Sequence, residues 1–224
     1  MTPIPDIKIA PAIMDSDLAH LARSLQEVES GGADLIHVDI MDGHFVPSFV
    51  GGPRVLAAMD ASTQLPLDVH LMVSNPDTAV DWFLEAGADI ILFHPETCED
   101  PMEVIDRIHE ADSRAGLALK PKEPALVIEP FADKIECVMA MTVEPGFSGQ
   151  KFMEEGCRKI PELREMCGNN VDVYVDGGID GETAPVAVKY GANVLAAASA
   201  IFSAEIAPPR AISYLRKVAE EARQ

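Results

Sequence analysis

Short runs rich in β-branched and other aliphatic residues recur at 7–10, 35–41, 67–72, 90–94, 116–120, 137–143, 171–176 and 194–198. Each has the length and composition of a β-strand. Between the runs the apolar positions change to helical spacing, as at Leu18, Leu21, Leu25 and Val28 ahead of the stop Gly31-Gly32. Asp15 and Asn75 stand where helix N-caps belong. Trp82, His20 and His109 fall in helical stretches; the tryptophan is expected to pack there and the two histidines to lie at the surface.

The phrases Gly32-Ala33-Asp34, Gly87-Ala88-Asp89 and Gly191-Ala192-Asn193 sit where a helix ends and a strand begins. Glycine suits a left-handed helix stop. Recurrence of one helix-to-strand joint is what a parallel sheet with crossover helices needs, and eight such units predict an α/β fold, a (β/α)8 TIM barrel. The 224 residues fit one barrel domain, since such barrels occupy about 200–250 residues. A single domain over 1–224 is expected.

Composition narrows the partners. Apolar residues make up 48% and charged residues 24%, an ordinary globular balance. The 17 Lys and Arg against 37 Asp and Glu give a net charge of -20, a field that repels nucleic acid and anionic membrane. An anionic substrate meets the same field, so a phosphate site here must use backbone N–H groups or a metal. Cys98, Cys137, Cys157 and Cys167 form no Cys-x-x-Cys pair and are expected to be reduced. With no basic, apolar leader at Met1 to Ala10 and no long apolar run, a cytoplasmic location is expected.

In such barrels chemistry collects at the C-terminal ends of the strands. Strand geometry puts His37, Asp39 and Met41 of His37-Val38-Asp39-Ile40-Met41 on one face. Asp68-Val69-His70-Leu71-Met72 repeats the pattern, and Val173-Tyr174-Val175-Asp176-Gly177-Gly178 brings a further carboxylate to a strand end. His37, Asp39, His70 and Asp176 should therefore converge. Two imidazoles with two carboxylates suit a divalent transition metal, zinc or iron first, manganese or cobalt next. Two aspartates reaching one carbon from opposite sides could each remove or return its proton, inverting that centre. Met41, Met72 and Met141 fall near strand ends, as pocket lining or as core filling. His94 ends the fourth run, to touch substrate or to pack; His44, Phe45 and Pro47 follow the second run in a lid-like loop, to cover a sugar or simply to pack.

A phosphate grip is suggested by three late loops. The first is Glu144-Pro145-Gly146-Phe147-Ser148-Gly149-Gln150, the second Asp176-Gly177-Gly178, and the third Ala197-Ala198-Ser199 before an apparent helix start.

With these pieces in place the chain closely resembles the ribulose-phosphate 3-epimerase family from Ile9 to about Phe202. The carriers are Ile9-Ala10-Pro11, the run from His37 through Asp42-Gly43-His44-Phe45-Val46-Pro47, Leu67 to Met72, Met141-Thr142-Val143-Glu144-Pro145-Gly146-Phe147 and Val175-Asp176-Gly177-Gly178. The resemblance implies a ribulose-phosphate-binding barrel and a homo-oligomer, dimer or hexamer. It implies one metal per chain on His37, Asp39, His70 and Asp176, with Asp39 and Asp176 as the acid and base. It also implies a phosphorylated ketose held by His70, Asp176, Gly146, Phe147, Ser148, Gly149, Gly177, Gly178, Ala198 and Ser199. Related barrels that cleave carbon–carbon bonds carry lysine two places after the strand-end aspartate; here that place is Met41.

Three positions depart from the family pattern: Ala12, usually a serine that contacts the sugar; Ser148, usually Gly or Ala; and Ala198, usually Gly. The run His94-Pro95-Glu96-Thr97 is similar to the allulose 6-phosphate branch, so a ketohexose 6-phosphate is the alternative substrate. A non-catalytic sugar-phosphate-binding barrel is the alternative of another class.

Overall fold

The computed structural model describes residues 5–202 and 205–223. Among the described residues nine strands form one sheet: β1 (Lys8–Pro11), β2 (Ile36–Asp42), β3 (Phe49–Val50), β4 (Leu67–Met72), β5 (Ile90–Phe93), β6 (Arg114–Leu119), β7 (Cys137–Met141), β8 (Asp172–Asp176) and β9 (Val194–Ala197). Their order is β1-β9-β8-β7-β6-β5-β4-β2-β3. Every pairing is parallel except β2 with β3. The bridge between Ala12 and His37 closes the barrel between β1 and β2. The helices are α1 (Leu21–Ser30), α2 (Pro53–Asp60), α3 (Pro76–Leu84), α4 (Pro101–Glu110), α5 (Glu154–Cys157), α6 (Ile160–Cys167), α7 (Ala184–Tyr190), α8 (Ser199–Phe202) and α9 (Pro208–Ala222).

Alternate strand residues divide the core. Ile9, Val38, Val69, Ile91, Leu117, Val138, Val173 and Leu195 belong to the cluster shared with the helices. Leu92, Cys137, Met139, Tyr174 and Val194 belong to a second cluster of opposite parity, which fills the barrel interior.

The three recurrent joints prove to be one device. Gly32, Gly87 and Gly191 have φ of 82°, 97° and 112°, the left-handed backbone that glycine adopts without strain. The acid or amide that follows then grips one residue of the neighbouring strand at both its polar groups. Asp34 donates its N–H to the Ile9 carbonyl at 3.0 Å and its carboxylate accepts the Ile9 N–H at 2.7 Å. Asp89 does the same with Leu67 (3.0 and 2.8 Å) and Asn193 with Val173 (3.0 and 2.7 Å). Glu136 repeats the grip on Ala115 without the preceding glycine (3.0 and 2.9 Å).

Several expectations need correction. β3 was absent from the sequence pattern because two residues carry no periodicity. The expected runs include residues outside the strands at 7, 35, 94, 120, 142–143, 171 and 198, while β6 starts earlier, at Arg114. The first helical stretch is split, with Leu18 exposed in a 3-10 turn and α1 starting at Leu21. The side-chain cap there is Asp17, which accepts the Ala19 N–H, whereas Asp15 closes the preceding turn. Asn75 precedes α3 without a side-chain cap bond. Trp82 is 54% exposed and does not serve as core packing; a helical stretch fixes a position's period but not which side of it meets the barrel.

Because the Ile9 amide is buried at the closing seam, losing its carboxylate acceptor should be costly. Asp34→Ala is expected to lower stability by about 1–3 kcal/mol, read as a drop in Tm of roughly 2–4 °C per kcal/mol in a chain this long. Asp34→Asn, which keeps an acceptor as Asn193 does, should stay near the parent; equal melting of all three proteins would show that the clamp contributes little.

Candidate active site

The parallel register between β2 and β4 aligns His37 with Asp68 and Asp39 with His70. All four side chains point into the barrel, so each imidazole has a carboxylate beside it on the next strand. His37 Nδ1 lies 2.8 Å from Asp68 Oδ2. When the ring is neutral, this pairing places the hydrogen on Nδ1 and leaves the lone pair on Nε2. That Nε2 is buried with no hydrogen-bond partner, 3.5 Å from Asp39 Oδ1. His70 Nδ1 lies 3.2 Å from Asp39 Oδ1 and 3.9 Å from Asp176 Oδ2.

Asp176 arrives from the other side of the barrel. β8 is separated from β2 by β9 and β1 in one direction and by β7, β6, β5 and β4 in the other. Its strand end is tied down by Thr142, whose N–H donates to the Asp176 carbonyl at 2.7 Å and whose hydroxyl donates to the Gly177 carbonyl at 2.6 Å. One ligand atom from each of His37, Asp39, His70 and Asp176 falls within 4.8 Å of the others. The orphaned His37 Nε2 and the two-imidazole, two-carboxylate donor set fit a divalent transition metal.

The electrostatics push the two carboxyl groups apart. Burial and the Asp39 carboxylate lift Asp176 to about 6. Burial also works to raise Asp39, yet the His37 and His70 imidazoles hold it well below the usual carboxylate range. For His37, burial opposes the charged ring but the Asp68 and Asp39 carboxylates outweigh it and raise the pKa well above its ordinary value. Burial lowers that of His70. Two carboxyl groups in one site with pKa values driven apart are suited to acid and base roles.

Asp39 and Asp176 border a cavity of about 160 Å³ at the C-terminal end of the barrel. Its wall includes Ala12, Met41, Met72 and Met141, and the loop groups Gly146, Phe147, Ser148, Gly149, Gly177, Gly178, Ala198 and Ser199. The methionines thus line the pocket as well as packing. Gly146, Gly149, Gly177 and Gly178 all have positive φ, and at Gly178 an added Cβ would lie 2.7 Å from the Phe152 nitrogen. Among the described residues no lysine or arginine lines this cavity.

His37 and His70 are fully buried and do not line this cavity. His94 is likewise buried and packs against His70 at 3.1 Å between Nε2 atoms. His44 is exposed, and its loop is shaped by Asp42, which accepts the N–H groups of His44 and Phe45 at 2.8 and 2.9 Å. His20 is exposed and pairs with Asp17; His109 is half-buried against Glu136. Ser148 donates to the Asp15 carboxylate, closing one edge of the pocket. Ala198 keeps negative φ, since Asp112 alone among the described non-glycine residues has a positive one; its methyl therefore imposes no backbone strain.

Sequence reasoning missed Asp68 as the partner of His37 and missed Met14, Asp15, Ser48 and Val50 as cavity wall. The alternation in Asp68-Val69-His70 carried the first signal. The others sit in turns and the short β3, where no pattern marks them.

Residues 8–202 match the model of the Ribulose-phosphate 3 epimerase family. The chain is similar to the ribulose-phosphate 3-epimerase of Bacillus subtilis, with 44% identity over 200 residues covering 88% of this chain and 92% of the relative. It is similar to the ribulose-phosphate 3-epimerase of Methanocaldococcus jannaschii at 43% identity over 219 residues, covering 96% and 92%. Among solved structures, orotidine 5'-monophosphate decarboxylase from Sulfolobus solfataricus superposes with a TM-score of 0.69 over 98% of this chain and 100% of that one. At 14% identity this likeness shows the α/β barrel fold alone.

The Asp68 pairing has a consequence for the metal-free protein. Stability drawn from the raised His37 pKa is fully present below the ordinary histidine value and is lost as pH rises through the raised one. Asp68→Asn should lower the His37 pKa, because it removes the carboxylate that contributes most to raising it, a change followed by ring-proton NMR titration. An unchanged His37 titration would assign the shift to Asp39 alone.

Proposed function

Because the chain belongs to the ribulose-phosphate 3-epimerase family, a family of carbohydrate isomerases, we propose that it interconverts D-ribulose 5-phosphate and D-xylulose 5-phosphate with Asp39 and Asp176 as the two proton carriers. The observation that supports this reading best is the pair itself: two carboxyl groups from strands on different sides of the barrel, with 18% and 15% of their side chains open to one cavity. Asp39, held ionised by the histidines, takes the proton from the carbon beside the carbonyl on one face. Asp176, near-neutral in pKa, returns a proton to the other face of the resulting enediolate, and the reverse reaction exchanges the roles. A divalent metal on His37, Asp39, His70 and Asp176, zinc or iron before manganese or cobalt, would supply positive charge to stabilise the negative charge that develops on the substrate oxygens. Met41, Met72 and Met141 exclude water around the reacting carbon.

The phosphate sits, in this reading, at the N–H groups of the Gly146–Gly149, Gly177-Gly178 and Ala198-Ser199 loops. Backbone dipoles suit a site with no cationic side chain in a chain of net charge -20. α8 spans four residues, so the loops carry this task more than the helix does. A cytoplasmic location and a homo-oligomeric state, dimer or hexamer, belong to the same proposal; among the described residues no helix is long and apolar enough to cross a membrane.

The protein as purified should contain a divalent transition metal by elemental analysis. Asp176→Asn should depress epimerisation by at least about 10²–10⁴-fold, and more if the metal is lost. With metal content verified, the epimer addressed by Asp39 should still exchange its carbon-bound proton in heavy water while the other exchanges far more slowly. Equal exchange of both epimers would point to one mobile base.

Ketohexose 6-phosphate remains the rival substrate through the run His94-Pro95-Glu96-Thr97, yet none of these residues lines the cavity. D-Ribulose 5-phosphate is therefore expected to show the higher kcat/KM in a direct comparison with D-allulose 6-phosphate. A preference for the hexose would reverse the assignment and place the control of substrate length in the cavity wall.

A further inference from the structure

His94, just beyond β5, is fully buried against His70, with ring centroids 5.2 Å apart and the two Nε2 atoms 3.1 Å apart. Its Nδ1 is buried with no hydrogen-bond partner and faces Glu96 Oε1 at 3.6 Å. Glu96 is in turn held by Lys120 Nζ at 2.9 Å. Lys120 also lies 4.4 Å over the Phe45 ring, which packs on His94 at 4.8 Å between centroids. The backbone of His94 is pinned by Thr97, whose N–H and hydroxyl donate to its carbonyl at 3.1 and 2.8 Å.

Two imidazole nitrogens at this distance need one hydrogen between them. If neutral His94 supplied it, the bare lone pair of its Nδ1 would face the Glu96 carboxylate, a repulsive arrangement. With its hydrogen on Nδ1, His94 instead offers Nε2 as acceptor. His70 then carries its hydrogen on Nε2 and its lone pair on Nδ1, the atom that faces Asp39 and Asp176; because that lone pair meets the Asp39 carboxylate at 3.2 Å, the arrangement belongs to the metal-loaded protein, in which a cation stands between them. We infer that His94, oriented by Glu96, is a positioning residue that fixes the tautomer of His70 and turns its Nδ1 lone pair toward the metal. Asp68 performs the corresponding task for His37 directly; at His70 a neutral imidazole with a carboxylate behind it takes that place.

The inference rests on the metal reading above, and the test separates the two. Zinc affinity is measured by competition with a chromophoric chelator on the parent, His94→Leu and His94→Gln, with melting of the metal-free proteins as the check on folding. His94→Leu removes the acceptor and should weaken zinc binding by roughly 10–100-fold, whereas the carbonyl of His94→Gln can accept and should recover most of it. A parent that binds no zinc overturns the metal reading itself. A parent that binds zinc while His94→Leu binds it equally overturns only the role of His94. Should the leucine variant fail to fold, nitrogen-15 NMR of the zinc-loaded parent decides, with His94 protonated on Nδ1 and His70 on Nε2 as the expected result. Protonation of His94 on Nε2 overturns the inference.

Discussion

The site depends on one register, that of β2 against β4. His-x-Asp on one strand and Asp-x-His on the next become a checkerboard only when His37 meets Asp68 and Asp39 meets His70. A slip of one residue would turn one strand's set out of the barrel. A slip of two would set His37 beside His70 or part each imidazole from its carboxylate. The apolar alternates Val38, Ile40, Val69 and Leu71, all buried among the helices, hold that register by hydrophobic burial on the opposite face. The same alternation that builds the outer core thus fixes the inner chemistry.

Burying this many ionisable groups would be destabilising if each stood alone. They do not stand alone. Asp68 supports His37, the two imidazoles hold Asp39 ionised, and Asp176 relieves repulsion from Asp39 by having its pKa raised to about 6. His37 Nε2 is left without a hydrogen-bond partner, as are Asp68 Oδ1 and His94 Nδ1. An orphaned donor or acceptor in a dry interior is a standing cost, and the His37 atom stands among four groups that could hold a metal ion.

Much of this was legible in the sequence because it is periodic. The eight barrel strands, the glycine joints and the inward face carrying His37, Asp39, His70 and Asp176 all repeat with the period of a strand or of a helix-to-strand unit. Asp34, Asp89 and Asn193 were visible as a recurrence, though their two-point grip on a neighbouring strand was not, since the partner lies 20 or more residues away. Contacts of that kind leave no local trace. Asp68 and His94 were read as pattern and as an open question; only the pairing of strands shows the first behind His37 and the second behind His70. Trp82 and Asp15 failed for the opposite reason, because a plausible local role was overridden by where the helix and the turn came to rest.

The cavity itself follows from the way the barrel closes. β1 ends at Pro11, which has no N–H to extend a ladder, and the ladder pairing with β2 is one isolated bridge, from Ala12 just beyond β1 to His37. Beyond that bridge the edge of β2 is free, and β3 occupies it, pairing Val50 with Met41 and Phe49 with Asp42 in the antiparallel sense. The strands therefore part above His37 and Asp39, and the residues lining the opening, Ala12, Met14, Asp15, Ser48 and Val50, come from the two segments that diverge there. A barrel sealed along this seam by a longer β1 would bury Asp39 behind a strand. The short first strand is thus as much a condition for the chemistry as the ligands are.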